Sequence, residues 1–234
     1  MTDRSSPYHK LHDRFGLLFA VTVVTIALLL LVDLDQDQGL AELLSFTVTL
    51  LAAAALFLAV AAAGVGHRGR QVTMVLIGVV LAAAIVSMVF SDIPNGYGGF
   101  LWLLLVVVAP IVALRRLMQH RTVTAETLFG ALSVYLLIAL AATYFFLFID
   151  TFLSGSGRFF GEEEPTTVFA YFSLITITTV GYGDFDPAGV FGRAAAAWAA
   201  VIGQIYLVVV VARLVTMYSG GRLFRHEADK AADD

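Results

Sequence analysis

The chain has 234 residues, of which 59% are hydrophobic and 14% charged, and its formal net charge is −4. Soluble domains carry about 25% charged residues, so this composition excludes an ordinary water-soluble protein, and the negative charge gives no reason to expect nucleic-acid binding. The absence of cysteine excludes disulfides and thiolate metal sites.

Six long apolar segments follow one another along the chain. They are residues 15–32, 43–65, 72–90, 100–118, 128–149 and 194–218. About 18 consecutive apolar residues are enough to cross a bilayer as a helix, and lipid offers no partner for the backbone groups of any other open structure. The sequence therefore predicts an all-α membrane protein with six transmembrane helices, surrounded by membrane lipids.

Basic residues mark the orientation of these helices. They precede the first span, separate the second from the third and the fourth from the fifth, and follow the sixth. The residues are Arg4, Lys10, Arg14, Arg68, Arg70, Arg115, Arg116, Arg121, Arg222, Arg225 and Lys230. Loops rich in lysine and arginine stay on the cytoplasmic side. We therefore expect a multi-pass protein of the cell membrane with both termini in the cytoplasm.

A shorter apolar segment lies between the fifth and sixth spans. Residues 166–178 predict a helix of about three turns, too short to cross the bilayer, and Pro165 suits its start. The next stretch, residues 178–184, reads Thr-Thr-Val-Gly-Tyr-Gly-Asp. Non-helical backbone at membrane depth is tolerated only where protein buries it or water lines it. The pattern predicts a re-entrant helix followed by a loop that lines a pore.

The motif at 178–184 resembles the selectivity-filter signature of the potassium channel family. The resemblance continues over the flanking helices, roughly residues 125–218. It implies a potassium-selective channel with K⁺ as the permeant ion and no other cofactor. The implied organisation is a cytoplasmic N-terminus (1–14), a four-helix transmembrane region (15–121), a pore domain (122–220) and a cytoplasmic tail (221–234).

The resemblance assigns roles within residues 179–183, which we call the filter loop. Potassium would bind the main-chain carbonyls of Thr179, Val180, Gly181 and Tyr182, and the Thr179 hydroxyl would complete the lowest site. Glycine permits the left-handed backbone that turns successive carbonyls the same way, which accounts for Gly181 and Gly183. The Val180 and Tyr182 side chains are expected to pack against the pore helix. One filter loop per chain supplies a quarter of each carbonyl ring, so we expect a homotetramer.

Thr178 and Asp184 flank the filter loop and are assigned to its support. Family members often tie this aspartate to a group on the pore helix. Ile175 cannot bond it, whereas the Tyr171 hydroxyl can, so Tyr171 is the expected partner and a solvated Asp184 is the alternative. The acidic residues 162–164 would either raise the cation concentration at the pore mouth or serve only as solvated loop charges.

The sixth span carries a glycine, Gly203, at the place where similar channels have a gating hinge. Close helix packing is the alternative, because small residues favour tight contact in membranes. Some apolar residues among 208–211 and Leu214 would line the inner cavity. Arg213 is expected to reach the cytoplasmic interface or to pair with an acidic group such as Glu126.

The fourth span lacks the charges of a voltage sensor. Residues 100–114 contain no arginine or lysine, and moving one charge across 100 mV is worth only about 2.3 kcal/mol. We therefore expect weak or absent voltage dependence of the usual type. Two alternatives stay open, a potassium transporter with degenerate filters and a non-conducting auxiliary membrane subunit. An enzyme is not expected, because the sequence shows no nucleophile–base pair or phosphate-binding loop.

Overall fold

The structure is a computed structural model. It describes residues 14–31, 107–115, 117–118, 124–153 and 158–233, together with 47, 48, 50, 51, 54, 55, 58, 71 and 78. Beyond residue 216 only the backbone of the last helix is described. Most of the second and third predicted spans, and the first part of the fourth, lie outside these residues.

Every regular element in the described part of the chain is helical. The elements are α1 (Arg14–Leu31), α2 (Ala125–Phe148) with a π-helical turn at Ile149–Leu153, α3 (Thr166–Ile177) and α4 (Val190–Asp233). Residues 107–115 are also helical. The prediction of an all-helical chain is therefore confirmed for this part. The number of transmembrane helices stays a prediction.

Two of the helices are long and apolar enough to cross a membrane, over Ala125–Thr151 and Val190–Thr216. They correspond to the fifth and sixth predicted spans but begin three and four residues earlier than predicted. At α2 the earlier start has a local cause, because the Thr124 side chain accepts from the Thr127 N–H while the Thr127 hydroxyl accepts from the Thr124 N–H. Capping boxes usually carry Glu or Gln at that second position, so the sequence did not reveal it.

The helix α4 continues to residue 233. The tail predicted to begin at residue 221 is therefore helical through nearly all of its length. Beyond its apolar part, α4 continues through a stretch that contains several charged residues. The apolar pattern alone therefore ended the sixth predicted span at residue 218.

The first helix packs against α2 near its start. A methyl group added at Gly130 would lie 3.2 Å from the Phe15 ring and 3.4 Å from the Leu117 side chain. Both Phe15 and Leu117 are buried. Gly130 therefore lets α1 and the end of the 107–118 segment approach α2 closely, as small residues do between membrane helices.

A cluster of buried apolar side chains holds α3 between α2 and α4. Its members come from all three helices and from the loop before α3. They are Ala142, Phe146, Ile149, Phe159, Phe169, Phe172, Ile177, Ala195 and Ala199. Because this cluster contains the last residue of α3, it fixes the point from which the filter loop begins.

Candidate functional site

The helix α3 is short and buried on one side. Its 12 residues rise about 18 Å, well below the ~30 Å of a hydrocarbon core. Pro165 occupies the N-cap with an extended backbone (ψ 160°) and makes no side-chain cap. Proline is most favoured at the first helical residue. Pro165 lies one position before it. The helix ends at Ile177, and Thr178 is its C-cap.

The backbone after α3 turns its carbonyls away from that helix. The N–H groups of Val180 and Gly181 both donate to the Ile175 carbonyl oxygen, at 2.9 and 3.1 Å. The described residues contain no cis peptide bond, and in a trans peptide the C=O points opposite to the N–H. The carbonyls of Thr179 and Val180 therefore both point away from α3. Two successive oxygens on one side of the chain are what a cation-binding ladder requires.

Every second residue of the filter loop has a left-handed backbone. The φ angles are +60° at Thr179, +52° at Gly181 and +75° at Gly183. The two glycines suit this conformation, but Thr179 is β-branched, and a left-handed residue of this kind costs about 1–2 kcal/mol. The strain at Thr179 was not predicted. The only sequence signal for it is the two-residue spacing from the two glycines.

The last four carbonyls of α3, at residues 174–177, all accept hydrogen bonds. The first three accept from the turn that follows, residues 178–181. The fourth, Ile177, accepts from the Tyr135 hydroxyl of α2 at 3.0 Å. Carbonyls at a helix end have no partner within the helix. Here they orient the start of the filter loop and join α3 to its neighbour.

Asp184 is held by two donors just after the filter loop. The Tyr171 hydroxyl donates to Asp184 Oδ2 at 2.6 Å, and the Phe185 N–H donates to Oδ1 at 3.2 Å. A tyrosine hydroxyl with its ordinary pKa of about 10 keeps its proton at physiological pH, so Tyr171 is the donor of this pair. The structure thus brings together Tyr171 and Asp184. On the other side of the loop, the Thr178 hydroxyl donates to the Leu174 carbonyl at 2.6 Å.

An aromatic cluster includes Tyr171 and Phe185, the two residues that donate hydrogen bonds to Asp184. The Phe160 ring lies 5.7 Å from that of Phe185 and 5.2 Å from that of Phe172, centroid to centroid. The Tyr171 ring lies 6.1 Å from Phe185 in an edge-to-face arrangement, a favourable geometry for aromatic pairs. The sequence did not reveal this cluster, because its members come from the loop before α3, from α3 itself and from the residue after Asp184.

A small polar network ties the end of α2 to the loop before α3. Asp150 accepts from the Phe159 N–H at 2.6 Å and from Arg158 at 3.2 Å. Arg158 also pairs with Glu163 at 3.0 Å. Arg158 and Glu163 are exposed, so their ion pair is worth about 0–1 kcal/mol. One of the three acidic residues at 162–164 therefore has a local partner in addition to solvent.

Gly203 lies where α4 crosses the end of α3. A methyl group added there would lie 2.7 Å from the Ile177 carbonyl oxygen and 2.9 Å from Ile177 Cγ2. Gly192 is similarly tight, with Pro187 Cβ at 2.9 Å and the Phe159 ring at 3.1 Å. This geometry supports the packing alternative for Gly203. A hinge at the same position stays a prediction.

The apolar residues predicted to line an inner cavity do not share one environment. Val208, Val209 and Val211 are exposed within the single chain, whereas Val210 is buried. Leu214 packs against the same core as Val210. Those two side chains therefore stabilise the subunit itself. Only the exposed valines are free to face a pore or a neighbouring subunit.

Arg213 makes a contact that the sequence did not reveal. Its Nη2 donates to the Met118 carbonyl at 2.5 Å. Met118 is the last residue of the fourth predicted span (100–118), so Arg213 links α4 to the end of that segment. The two expectations for this residue, the interface and Glu126, did not include that carbonyl.

Val180 and Tyr182 are largely exposed within one chain, at 51% and 72%. Their packing against the pore helix stays a prediction.

Comparison with known proteins agrees with this geometry. The model of a family described as "Ion channel" matches residues 122–219, which contain α2, α3, the filter loop and the apolar part of α4. The nematode Caenorhabditis elegans "Potassium voltage-gated channel protein shk-1" is 37% identical over 81 residues, 32% of this chain and 15% of that protein. Human "Potassium voltage-gated channel subfamily A member 4" is 35% identical over 82 residues, 32% of this chain and 13% of that protein.

The match and the two apolar helices indicate that residues 122–219 are an ion-channel domain in a membrane protein. Over part of this region the chain is similar to potassium channels. The chain matches only about one seventh of the length of these relatives.

Proposed function

We propose that the chain is one subunit of a potassium-selective channel, in which four copies of the filter loop surround a shared axis and conduct K⁺ passively. The observation that carries this proposal is the pair of hydrogen bonds from Val180 and Gly181 to the Ile175 carbonyl. They direct successive carbonyls to one side, where oxygens replace the water of a dehydrated cation.

The proposed binding groups are the carbonyls of Thr179, Val180, Gly181 and Tyr182, with the Thr179 hydroxyl at the lowest site. Gly183 completes the loop. Left-handed φ angles at residues 179, 181 and 183 support this assignment, because alternation of backbone hand lets successive carbonyls share a direction. Thr178, Asp184 and Tyr171 are proposed to hold the two ends of the loop.

A homotetramer is proposed because one loop supplies only a quarter of each oxygen ring. The exposure of Val180 and Tyr182 supports it, since large side chains in an anhydrous environment need protein or lipid to pack against. So does the exposed apolar side of α4, which includes Trp198 at 67% and Ile205 at 57%.

The proposed arrangement in the membrane has six spans, with α3 re-entrant and both termini cytoplasmic. The length of α3 supports the re-entrant placement, since about 18 Å of helix cannot cross the bilayer. The described α2 and α4 would be the fifth and sixth spans, and the domain boundaries at 1–14, 15–121, 122–220 and 221–234 follow from this layout. The positions of the basic residues support the orientation.

Ion flux tests the proposed function directly. Purified protein in liposomes should release K⁺ at least about tenfold faster than Na⁺, a preference equivalent to about 1.4 kcal/mol. In a planar bilayer its conductance should change little with voltage, because residues 100–114 carry no basic charge. Equal sodium and potassium flux would overturn the proposal. A steep conductance–voltage curve would contradict only the expected weak voltage dependence.

Loss of the Tyr171 hydroxyl should destabilise the conducting filter. Tyr171→Phe keeps the ring against Phe185 but removes the donor to Asp184, so we expect current to decay several times faster during sustained conduction. Asp184→Asn, which keeps an oxygen for the hydroxyl, should change the decay less. Single-channel or macroscopic recording measures both rates. An unchanged decay in Tyr171→Phe would show that the pair does not support the filter.

A further inference from the structure

The Tyr135 hydroxyl reaches from α2 to the last carbonyl of α3. Its distance to the Ile177 carbonyl oxygen is 3.0 Å, and 42 residues separate the two in sequence. The other carbonyls at this helix end accept from the turn that follows them. Ile177 thus receives its donor from another helix.

The Ile177 carbonyl is confined on a second side by α4. A methyl group at Gly203 would lie 2.7 Å from that oxygen, so the backbone of α4 passes it without an intervening side chain. The Ile177 side chain is fully buried. Only Thr178 separates Ile177 from Thr179, whose carbonyl and hydroxyl form the proposed lowest ion site. A rotation of the Ile177 peptide would be passed on through Thr178 to that site.

Tyr135 is itself held by a second tyrosine. Its ring stacks on that of Tyr206, with centroids 5.8 Å apart and an interplanar angle of 22°. The Tyr206 hydroxyl donates to the Ala131 carbonyl at 2.7 Å, one helical turn before Tyr135. α4 is therefore attached to α2 beside Tyr135, and α2 is attached to α3 through Tyr135.

We propose that Tyr135 is a positioning residue for potassium selectivity: its hydroxyl fixes the last peptide of α3 and thereby the direction of the oxygens at the lowest ion site. This inference rests on the proposed function. It assigns to the outer helix a role in ion discrimination, carried by one hydroxyl that never touches the ion. Selectivity depends on the number and geometry of the coordinating oxygens, so an oxygen that turns freely at the lowest site admits smaller cations.

Tyr135→Phe tests the proposal against a matched control, Tyr206→Phe. Each change removes one hydroxyl that donates to a main-chain carbonyl of another helix. The K⁺/Na⁺ permeability ratio is measured from reversal potentials in a planar bilayer with the two ions on opposite sides. We expect the permeability ratio to fall in Tyr135→Phe, because the Ile177 peptide loses the donor that fixes its direction. Tyr206→Phe should keep the wild-type ratio even if it lowers thermal stability.

Wild-type selectivity in Tyr135→Phe would overturn the inference, and an equal fall in Tyr206→Phe would show that only general packing was disturbed. If Tyr135→Phe does not assemble alone, it is fused in tandem to one wild-type subunit so that every channel contains variant subunits, and an unchanged ratio then overturns the inference. Failure of the wild type itself to select potassium would instead remove the proposed function. The two failures are therefore distinguishable.

Discussion

Gly181→Ala is expected to reduce potassium flux strongly while the subunit still folds. The φ angle of Gly181 is +52°, and a methyl group built there would meet no atom of its own chain within 4 Å. Space within the subunit is therefore not the obstacle. The obstacle is the backbone, since a left-handed alanine costs about 1–2 kcal/mol per residue and a tetramer would incur it four times. We expect the loop to relax and turn carbonyls out of the ladder, reducing K⁺ flux from liposomes at least tenfold, about 1.4 kcal/mol.

Gly189→Ala provides the matched control. A methyl group at Gly189 also meets nothing within 4 Å, but its φ lies outside the left-handed region. This variant should conduct as the wild type does. If Gly181→Ala were as active as Gly189→Ala, the left-handed backbone would not be needed, and the proposed carbonyl ladder would be wrong.

Gly203→Ala is expected to lower the stability of the folded channel. The added methyl would lie 2.7 Å from the Ile177 carbonyl oxygen, an atom of the backbone that cannot rotate away. Overpacking a close contact typically costs about 1–3 kcal/mol, and here α3 or α4 would have to shift. Thermal unfolding of the detergent-solubilised oligomer measures the loss. Gly16→Ala, where a methyl meets nothing within 4 Å in α1, should be neutral or slightly stabilising.

The same variant separates the two roles considered for Gly203. If this glycine is needed for packing, Gly203→Ala unfolds at a lower temperature than the wild type, whether or not the channel is open. If it serves only as a hinge, the variant keeps the wild-type melting temperature and opens less often. A wild-type melting curve would therefore contradict the close packing of α4 on α3.

The parts of the site that could be predicted from sequence are those encoded within a few residues. The motif at 178–184 contains its own turn chemistry, with Gly181 and Gly183 at the positions that need a left-handed backbone. Tyr171 and Asp184 could be paired because only 13 residues separate them within one short helix–loop unit. The existence of α2, α3 and α4 followed from their apolar length in the same way.

Contacts between distant helices could not be predicted. The hydroxyl of Tyr206 reaches Ala131 over 75 residues, and Arg213 reaches Met118 over 95. In a soluble helix the apolar face indicates which side is buried, but a membrane helix is apolar all round, so its periodicity does not identify the neighbouring helix. The exact start of α2 was missed for a different reason, since its cap uses an uncommon second threonine.

At Thr179 the residue type proposed to bind the ion differs from the one that best suits the backbone conformation. A sequence chosen for ease of folding alone would carry glycine there, as it does two and four residues later, because φ is +60°. Glycine has no hydroxyl to offer an ion. The threonine thus places about 1–2 kcal/mol of torsional strain at the start of the filter loop in each subunit. A search for more heat-resistant variants would therefore select against the residue proposed to complete the lowest binding site.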